Sequence, residues 1–314
     1  MVYILYDLIE VKMIRLALFL TVYALFTPSA DQFWDHWGDG QAEISSYELS
    51  IPRYGESRPG TTVAIFVTEP FSAARRVKSD RSASDDRLQV IKLNLVKDFA
   101  TGIYDYNTML STFVPLETGG ELTEGRATKV SYSSQEWCGH AYHELLLDRA
   151  GASESVHSYF DGESAQDRKL SLPAGGVSED SLLLWARGLA EPKLAKGESV
   201  EAPLLTSLQT ARLDHQELRW RTATFSRADK STFLESPAGR FEVERWTVQL
   251  EDGSRWEFDV ELAPPQRVIS WRRPSGERST LIKSERLPYW RLNGNRDLKA
   301  LDAIGLKPRP ARTP

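Results

Sequence analysis

The feature that most constrains this chain is a period-two run of apolar residues interrupted by an Asp-Gly pair. In RFEVERWTVQLEDGSRWEFDVEL, Trp246, Val248 and Leu250 fall on one side before Asp252-Gly253, and Trp256, Phe258, Val260 and Leu262 on one side after it. Successive side chains of a strand point to opposite faces, so this spacing gives each run one apolar face. An Asp-Gly pair tolerates the left-handed backbone that a tight hairpin needs. The segment therefore predicts an antiparallel hairpin, and RVISWRR, a PSG turn and STLIKSERLPYW extend it to a meander of four strands. Trp246, Trp256 and Trp271 lie on consecutive strands of that meander. They are either its core, each ring burying on the order of 200 Å², or the lining of a groove for an apolar ligand.

The same texture recurs upstream. Tyr47, Leu49 and Ile51 alternate before Pro52 and a turn over Gly55 to Gly60, and TTVAIFVTEPF is continuously apolar over Val63 to Val67, as suits a strand covered on both faces. The charged, serine-rich RRVKSDRSASDDR reads as a long hairpin loop. RLQVIKLNLV, GIYDYNTMLSTFVPL, ATKVSYSSQEWCGHAYHELLL and Ser155 to Phe160 each read as one further extended piece. One segment reads as a helix: SLPAGGVSEDSLLLWARGLAEP starts at Ser178, carries acids in its first turn, spaces Leu182, Trp185 and Leu189 by three and four, and closes at Gly188 and Pro192. The expected fold is mainly β, with antiparallel sheets forming a half-barrel or sandwich and one central connecting helix.

The expected layout is a signal peptide over 1–30, an N-terminal β-rich half over 31–172, a helical connector over 173–206, a C-terminal β meander over 207–290 and a basic, frayed tail over 291–314. From Met13 the chain reads MIRLALFLTVYALFTPSA, with Arg15, an apolar run from Leu16 to Phe26 and small residues up to Ala30, which is the layout of a cleaved secretory signal. That run falls well short of the roughly 20 residues that span a bilayer. Asp7 and Glu10 suit a signal poorly, which makes Met13 a candidate true start. The expectation is a periplasmic or secreted protein with no transmembrane span after cleavage. Beyond the signal, Phe33, Trp34 and Trp37 fit a short amphipathic helix or an aromatic plug.

Composition narrows the function. The 314 residues hold 39 Lys+Arg against 44 Asp+Glu, a formal charge of −5, which offers nucleic acid no cationic surface. The single cysteine, Cys138, excludes an intramolecular disulfide and a four-cysteine zinc site. No glycine-rich phosphate loop, GxSxG or HExxH motif occurs, and no cofactor is implied. The one cluster that invites chemistry is Gln135-Glu136-Trp137-Cys138-Gly139-His140-Ala141-Tyr142-His143-Glu144. On one extended strand Glu136, Cys138, His140 and Tyr142 share a face, where a thiol beside an imidazole is a candidate nucleophile. Residues two apart sit about 6.6 Å apart, so direct contact needs both side chains to lean together. His140, His143 and Glu144 with His157 form a candidate metal set, but His140 and His143 face opposite sides of a regular strand, so that set needs a bulge near Gly139. A buried, unreactive cysteine and ordinary histidines are the plain alternative.

The stretches AEISSYELSIPRYGE, AIFVTEPF, RVKSD, VIKLNL, FATGIYDYNTMLSTF, SSQEWCGH and HSYFDGE resemble the hallmarks of an uncharacterised bacterial envelope family, closely over residues 34–165 and loosely elsewhere. Members of that family often carry the label "septum formation inhibitor" (Maf), a name borrowed from cytosolic nucleotide pyrophosphatases. Pro52, Arg53 and Glu56 echo the Ser-Pro-Arg-Arg-x-Glu loop of those enzymes, but Ile51 stands in place of the serine and Tyr54 in place of the second arginine. The resemblance is therefore not to a true Maf pyrophosphatase; it implies secretion and carries no reaction with it. The reading from sequence is a non-catalytic envelope protein that binds an apolar ligand, an envelope polymer or a protein partner, with Arg53, Tyr104, Tyr106, Trp137 and the three meander tryptophans as candidate contacts. The alternative is a thiol- or metal-dependent hydrolase centred on Glu136, Cys138 and His140.

Overall fold

The computed structural model describes residues 30–80, 86–163 and 166–308. The signal sequence, the serine-rich loop tip and the last residues of the tail lie outside them. Ala30–Trp37 form a short helix in which Phe33 meets Trp34 edge to face, with ring centroids 5.1 Å apart. This helix belongs to one compact unit, Met1–Gly40, and the rest of the chain, Gln41–Pro314, to a second.

The second unit is a single sheet. Its strands are β1 (Ala42–Arg53), β2 (Glu56–Ser72), β3 (Val77–Lys78), β4 (Arg87–Thr101), β5 (Tyr104–Pro115), β6 (Lys129–Glu136), β7 (Gly139–Asp148), β8 (Gly151–Ser158), β9 (Gln166–Leu170), β10 (Val177–Ser178), β11 (Ser199–Leu205), β12 (Trp220–Ser236), β13 (Gly239–Leu250), β14 (Arg255–Glu261), β15 (Val268–Arg272) and β16 (Arg278–Leu287). In space they follow chain order as a meander, with two departures: β1 pairs with β16, joining the two ends of the chain, and the short β3 pairs only with β2. β9 and β10 are the two free edges, so the sheet stays open and does not close into a barrel. All ladders are antiparallel except that of β10 with β11. Nearly every connection is therefore a hairpin, as the Asp-Gly signal anticipates: Gly253 takes φ +82°, and Leu250 donates its N–H to Ser254 O at 2.8 Å.

The concave side is filled by the chain segment that leaves the edge strand β10 for its neighbour β11. After β10, Ser178 caps a 3-10 turn over Glu179–Ser181 by accepting from the Asp180 N–H, and the central helix follows over Leu182–Ala186, ended at Gly188 with φ +70°. This helix is buried on every side. Its Trp185 sits in an aromatic box, edge to face with Phe225 at 5.1 Å, Trp246 at 5.0 Å and Phe258 at 6.2 Å. Those partners come from β12, β13 and β14, while Thr112 on β5 donates to Asp180 O at 2.9 Å and Arg187 lies 4.4 Å over the Phe66 ring on β2. Strands far apart in the sheet thus touch one short segment, so the sheet must curl around it as a half-barrel. On the convex side, Leu301 and Ile304 of the 3-10 segment Asn295–Ile304, with Leu306 just after it, cover Ala42, Ile44 and Val67.

The buried segment brings charges inside, and each is paired. Arg187 makes a two-pronged ion pair with Glu43 on β1, at 2.6 and 3.0 Å, and also donates to Pro265 O and Gln266 O. Beside the 3-10 turn, Arg273 donates to Glu179 at 3.2 Å, Trp256 donates to the same carboxylate at 3.1 Å, and Lys97 donates to Glu277 and Gln209, both at 2.6 Å. A cavity of about 20 Å³ lies beside these groups, lined by Leu95, Leu110, Trp256 and Trp271 among others.

Two predictions follow from this interior. Removing one partner of a fully buried pair leaves the other charge uncompensated, so Arg187→Ala should cost about 3–5 kcal/mol in urea unfolding. Arg187→Met combined with Glu43→Gln should cost clearly less than either single truncation. Burial pushes Asp180 up to about 7 against the pull of the Leu208 N–H bond, and the neighbouring Glu179 charge adds to the rise. The folded state then holds a proton that the unfolded chain has lost, so this group makes stability fall as pH rises from about 4 to about 7. Asp180→Asn should flatten that fall, as measured by urea midpoints across the window.

Candidate functional site: an aromatic rim

Four hairpins end on the same side of the sheet: β1–β2, β4–β5, β6–β7 and the turn that leaves β8 for β9. Each tip carries a large apolar side chain held out in solvent. Tyr54 is 59% exposed, Ile103 79%, Trp137 64% and Tyr159 75%. Each also stands beside a glycine or one residue from it in the turn, or within a few residues of Gly162 for Tyr159. The glycine permits the tight reversal and the neighbouring ring is carried to the outermost point.

The β1–β2 tip shows what holds such a ring. Arg53 and Glu56 face each other across Tyr54-Gly55, and both central residues have positive φ, +54° and +77°. A tyrosine in that region costs on the order of 1 kcal/mol. The cost is offset by contacts: the Arg53 guanidinium lies 4.5 Å from the Tyr54 ring centroid, and the Tyr54 and Tyr106 hydroxyls share a hydrogen bond of 2.8 Å. Arg53 is itself fixed by donating to Leu213 O at 2.7 Å, in the helix Leu208–Leu213 that follows β11. Behind it Phe99 stacks flat on Tyr106 with centroids 4.9 Å apart, over Leu49 and Ile51. The row continues outward from Tyr106 to Tyr104 at 5.9 Å and from Tyr104 to Trp137 at 6.3 Å. Arg53, Tyr104, Tyr106 and Trp137, chosen on sequence from three separate segments, are thus brought into one continuous aromatic rim. Tyr54, Ile103 and Tyr159 complete it, and the signal that marks them is a bulky apolar residue at a glycine-containing turn.

The meander tryptophans are placed elsewhere. Trp246 packs on Trp185, Trp256 stacks on Phe258 at 5.5 Å and Trp271 meets Tyr47 at 4.6 Å, all buried. They are core and line no open groove.

The Cys-His cluster does not lie on one strand. Trp137 and Cys138 are the turn between β6 and β7, with Glu136 opposite Gly139 and Gln135 opposite His140. The expectation of a shared strand face for Glu136, Cys138, His140 and Tyr142 is corrected accordingly: glycine after a Trp-Cys pair reverses the chain instead of bulging it. Cys138 is exposed, and its N–H donates to the Glu136 carboxylate at 2.6 Å. Hydrogen bonding to Glu136 and the charge of that carboxylate raise the thiol above its usual value, the opposite of what a nucleophile needs. Among the described residues no hydrogen bond joins Cys138 to His140. His143 points inward, where its Nε2 meets Glu154 at 2.7 Å; burial works against that carboxylate, but His143 and Arg168 together hold it below the usual range. His140 and His157 are exposed, and Glu144 is engaged by Lys129 and Tyr142. The metal candidates are therefore divided between the two faces, and among the described residues no three His, Cys, Asp or Glu side chains converge as metal ligands.

An open concavity of about 230 Å³ lies apart from the rim, between the β7–β8 turn, Arg126 and the backbone of residues 172–176. No helix among the described residues is long and apolar enough to cross a membrane.

No family model matches the chain, and no curated protein matches it. Among solved structures it is similar to a beta-barrel-like protein of a domain of unknown function, DUF1849, from Brucella abortus. The identity is 12%, the match covers 78% of this chain and 98% of that one, and the TM-score is 0.46.

The geometry of Cys138 predicts its reactivity. Glu136→Gln keeps an acceptor for the Cys138 N–H but removes the charge, so alkylation by a neutral thiol reagent near pH 8 should run faster in the variant than in the wild type. An unchanged rate would show that Glu136 does not control the thiol.

Proposed function

We propose that this is a secreted or periplasmic, non-catalytic binding protein that engages an envelope polymer, a polysaccharide, through its aromatic rim. The observation that carries the reading is the row from Trp137 through Tyr104 and Tyr106 to Tyr54, with Arg53 set among the rings. Trp137 and Tyr54 present exposed rings at the two ends of that row, which the buried Tyr106 anchors from within, and exposed rings suit sugars, whose apolar faces stack while their hydroxyls bond to polar groups nearby. Polar groups are present: the Arg53 guanidinium, the tyrosine hydroxyls and the carboxylates of Glu56, Asp105 and Asp161 at the tips. The same carboxylates disfavour an anionic bilayer surface, which recruits basic tips. An apolar ligand held inside the half-barrel is not supported, because the central helix and its ion pairs occupy that space. The envelope location rests on the leader-like sequence alone.

A polymer that stacks on the rim should lose most affinity when the outermost ring is removed. In co-sedimentation with insoluble cell-wall polysaccharide, Trp137→Ala should weaken binding by about 2 kcal/mol, roughly 30-fold, and Tyr104→Ala should weaken it as well. Cys138→Ala and His140→Ala should bind as the wild type does. Binding insensitive to both rim variants, or sedimentation with neutral lipid vesicles in place of polysaccharide, would refute the assignment.

A further inference from the structure

Behind the rim, on the inward face of the sheet, four polar atoms are buried without a hydrogen-bond partner: Nε and Nη1 of Arg212, the Tyr132 hydroxyl and the Ser134 hydroxyl. Their residues are 5%, 1% and 2% exposed. Buried donors are satisfied in the great majority of folded proteins, and orphaned ones cost about 1–3 kcal/mol each, more when charged. Two of these atoms belong to one guanidinium and two to hydroxyls on one face of β6, and such orphans point to a group that belongs there.

The register places them together. Tyr132 and Ser134 lie on the same face of β6, opposite His143 and Ala141 on β7, and Ser134 faces Thr108 on β5. Arg212 approaches from the helix Leu208–Leu213, where its guanidinium lies 3.8 Å from the Phe160 ring centroid and its charge acts on the Tyr132 phenol. The cross-strand row Thr108, Ser134, Ala141 and Ser158 consists of small side chains.

Charge around Arg212 is only partly matched. Its Nη1 stands 3.8 Å from Glu163, too far for a hydrogen bond, and that carboxylate is already taken by His215 Nδ1 and, at 3.0 Å, by the Ser158 hydroxyl. The orphaned guanidinium atoms are donors only, and both hydroxyls can donate. What Nε and Nη1 lack is an acceptor within hydrogen-bond distance.

We propose that Arg212, Tyr132 and Ser134 form a binding site for a small oxyanion, a carboxylate or a phosphate, distinct from the aromatic rim and independent of the function proposed for it. Phosphate and carboxylate present the same acceptor oxygens to such a site, and the test separates them by using each alone.

The experiment is thermal unfolding of the full chain titrated with millimolar inorganic phosphate and, separately, acetate, with chloride holding ionic strength constant. A saturable rise in midpoint with at least one of the two anions is expected, since a ligand of the native state stabilises it by mass action. Arg212→Gln should abolish the rise, and Tyr132→Phe or Ser134→Ala should weaken the apparent affinity roughly tenfold, the worth of one hydrogen bond to an ionised group. If Arg212→Gln does not fold, the two hydroxyl variants carry the test. A midpoint indifferent to both anions, an equal rise in the variants, or a high-resolution structure grown with phosphate and acetate that shows only water on Nε and Nη1 would overturn the proposal.

Discussion

The structure depends on one constraint: a curled sheet must fill its concave side, and here it does so with the chain segment between the edge strand β10 and its neighbour β11. Leu182–Ala186 can enter because they are apolar, and Trp185 supplies a ring large enough to reach three strands. The polar backbone and charges at either end of the segment must then be satisfied indoors. Arg187 on Glu43 ties one end to β1, and Arg273 on Glu179 ties the other to the turn after β15. A guanidinium can do this because its donors are fixed in a planar fork that matches a carboxylate. These pairs select one position for the segment more than they add net stability, since desolvation consumes much of their attraction.

That filling has a functional consequence. Among the described residues the concave side holds the buried helix Leu182–Ala186 and its ion pairs, and the exposed rings of Tyr54, Trp137 and Tyr159 stand at the hairpin tips. That end of the sheet carries the aromatic rim. Its members come from separate hairpins, so its shape is set by the sheet that spaces the turns and not by any loop alone. The strained Tyr54 is held by Arg53 and Tyr106 in the same set, which is why the rim keeps its rings ordered while exposing them.

The sequence was most legible where period and turn chemistry agree. The Asp252-Gly253 hairpin, the strand bearing Tyr47, Leu49 and Ile51, and the Ser178 start of the central helix each follow from local patterns that tertiary contacts reinforce. Several elements escaped it, among them β9, β11, β12 and the helix Leu208–Leu213. β12 alternates weakly and is largely exposed along its second half, and its register shifts between Arg227 and Ser231, so no clean period survives. The helix Leu208–Leu213 is six residues long, too short to show a face. The Trp137-Cys138 turn was hidden because the residues on either side continue the same alternation, and only cross-strand pairing shows that the chain has reversed.

By itself the sequence determined the class of fold and many of its strands, because alternation and turn residues act between near neighbours. It also marked Arg53, Tyr104, Tyr106 and Trp137 as candidate contacts by residue type, although Tyr106 is buried within β5. Only the tertiary structure decided that these four lie together, that Trp246, Trp256 and Trp271 are core, that Cys138 sits under the influence of Glu136 at a turn, and that Arg212, Tyr132 and Ser134 meet inside. Each of those outcomes depends on which strands become neighbours and which way the sheet curls. Both are set by long-range burial around Trp185 and Arg187, which no local pattern encodes.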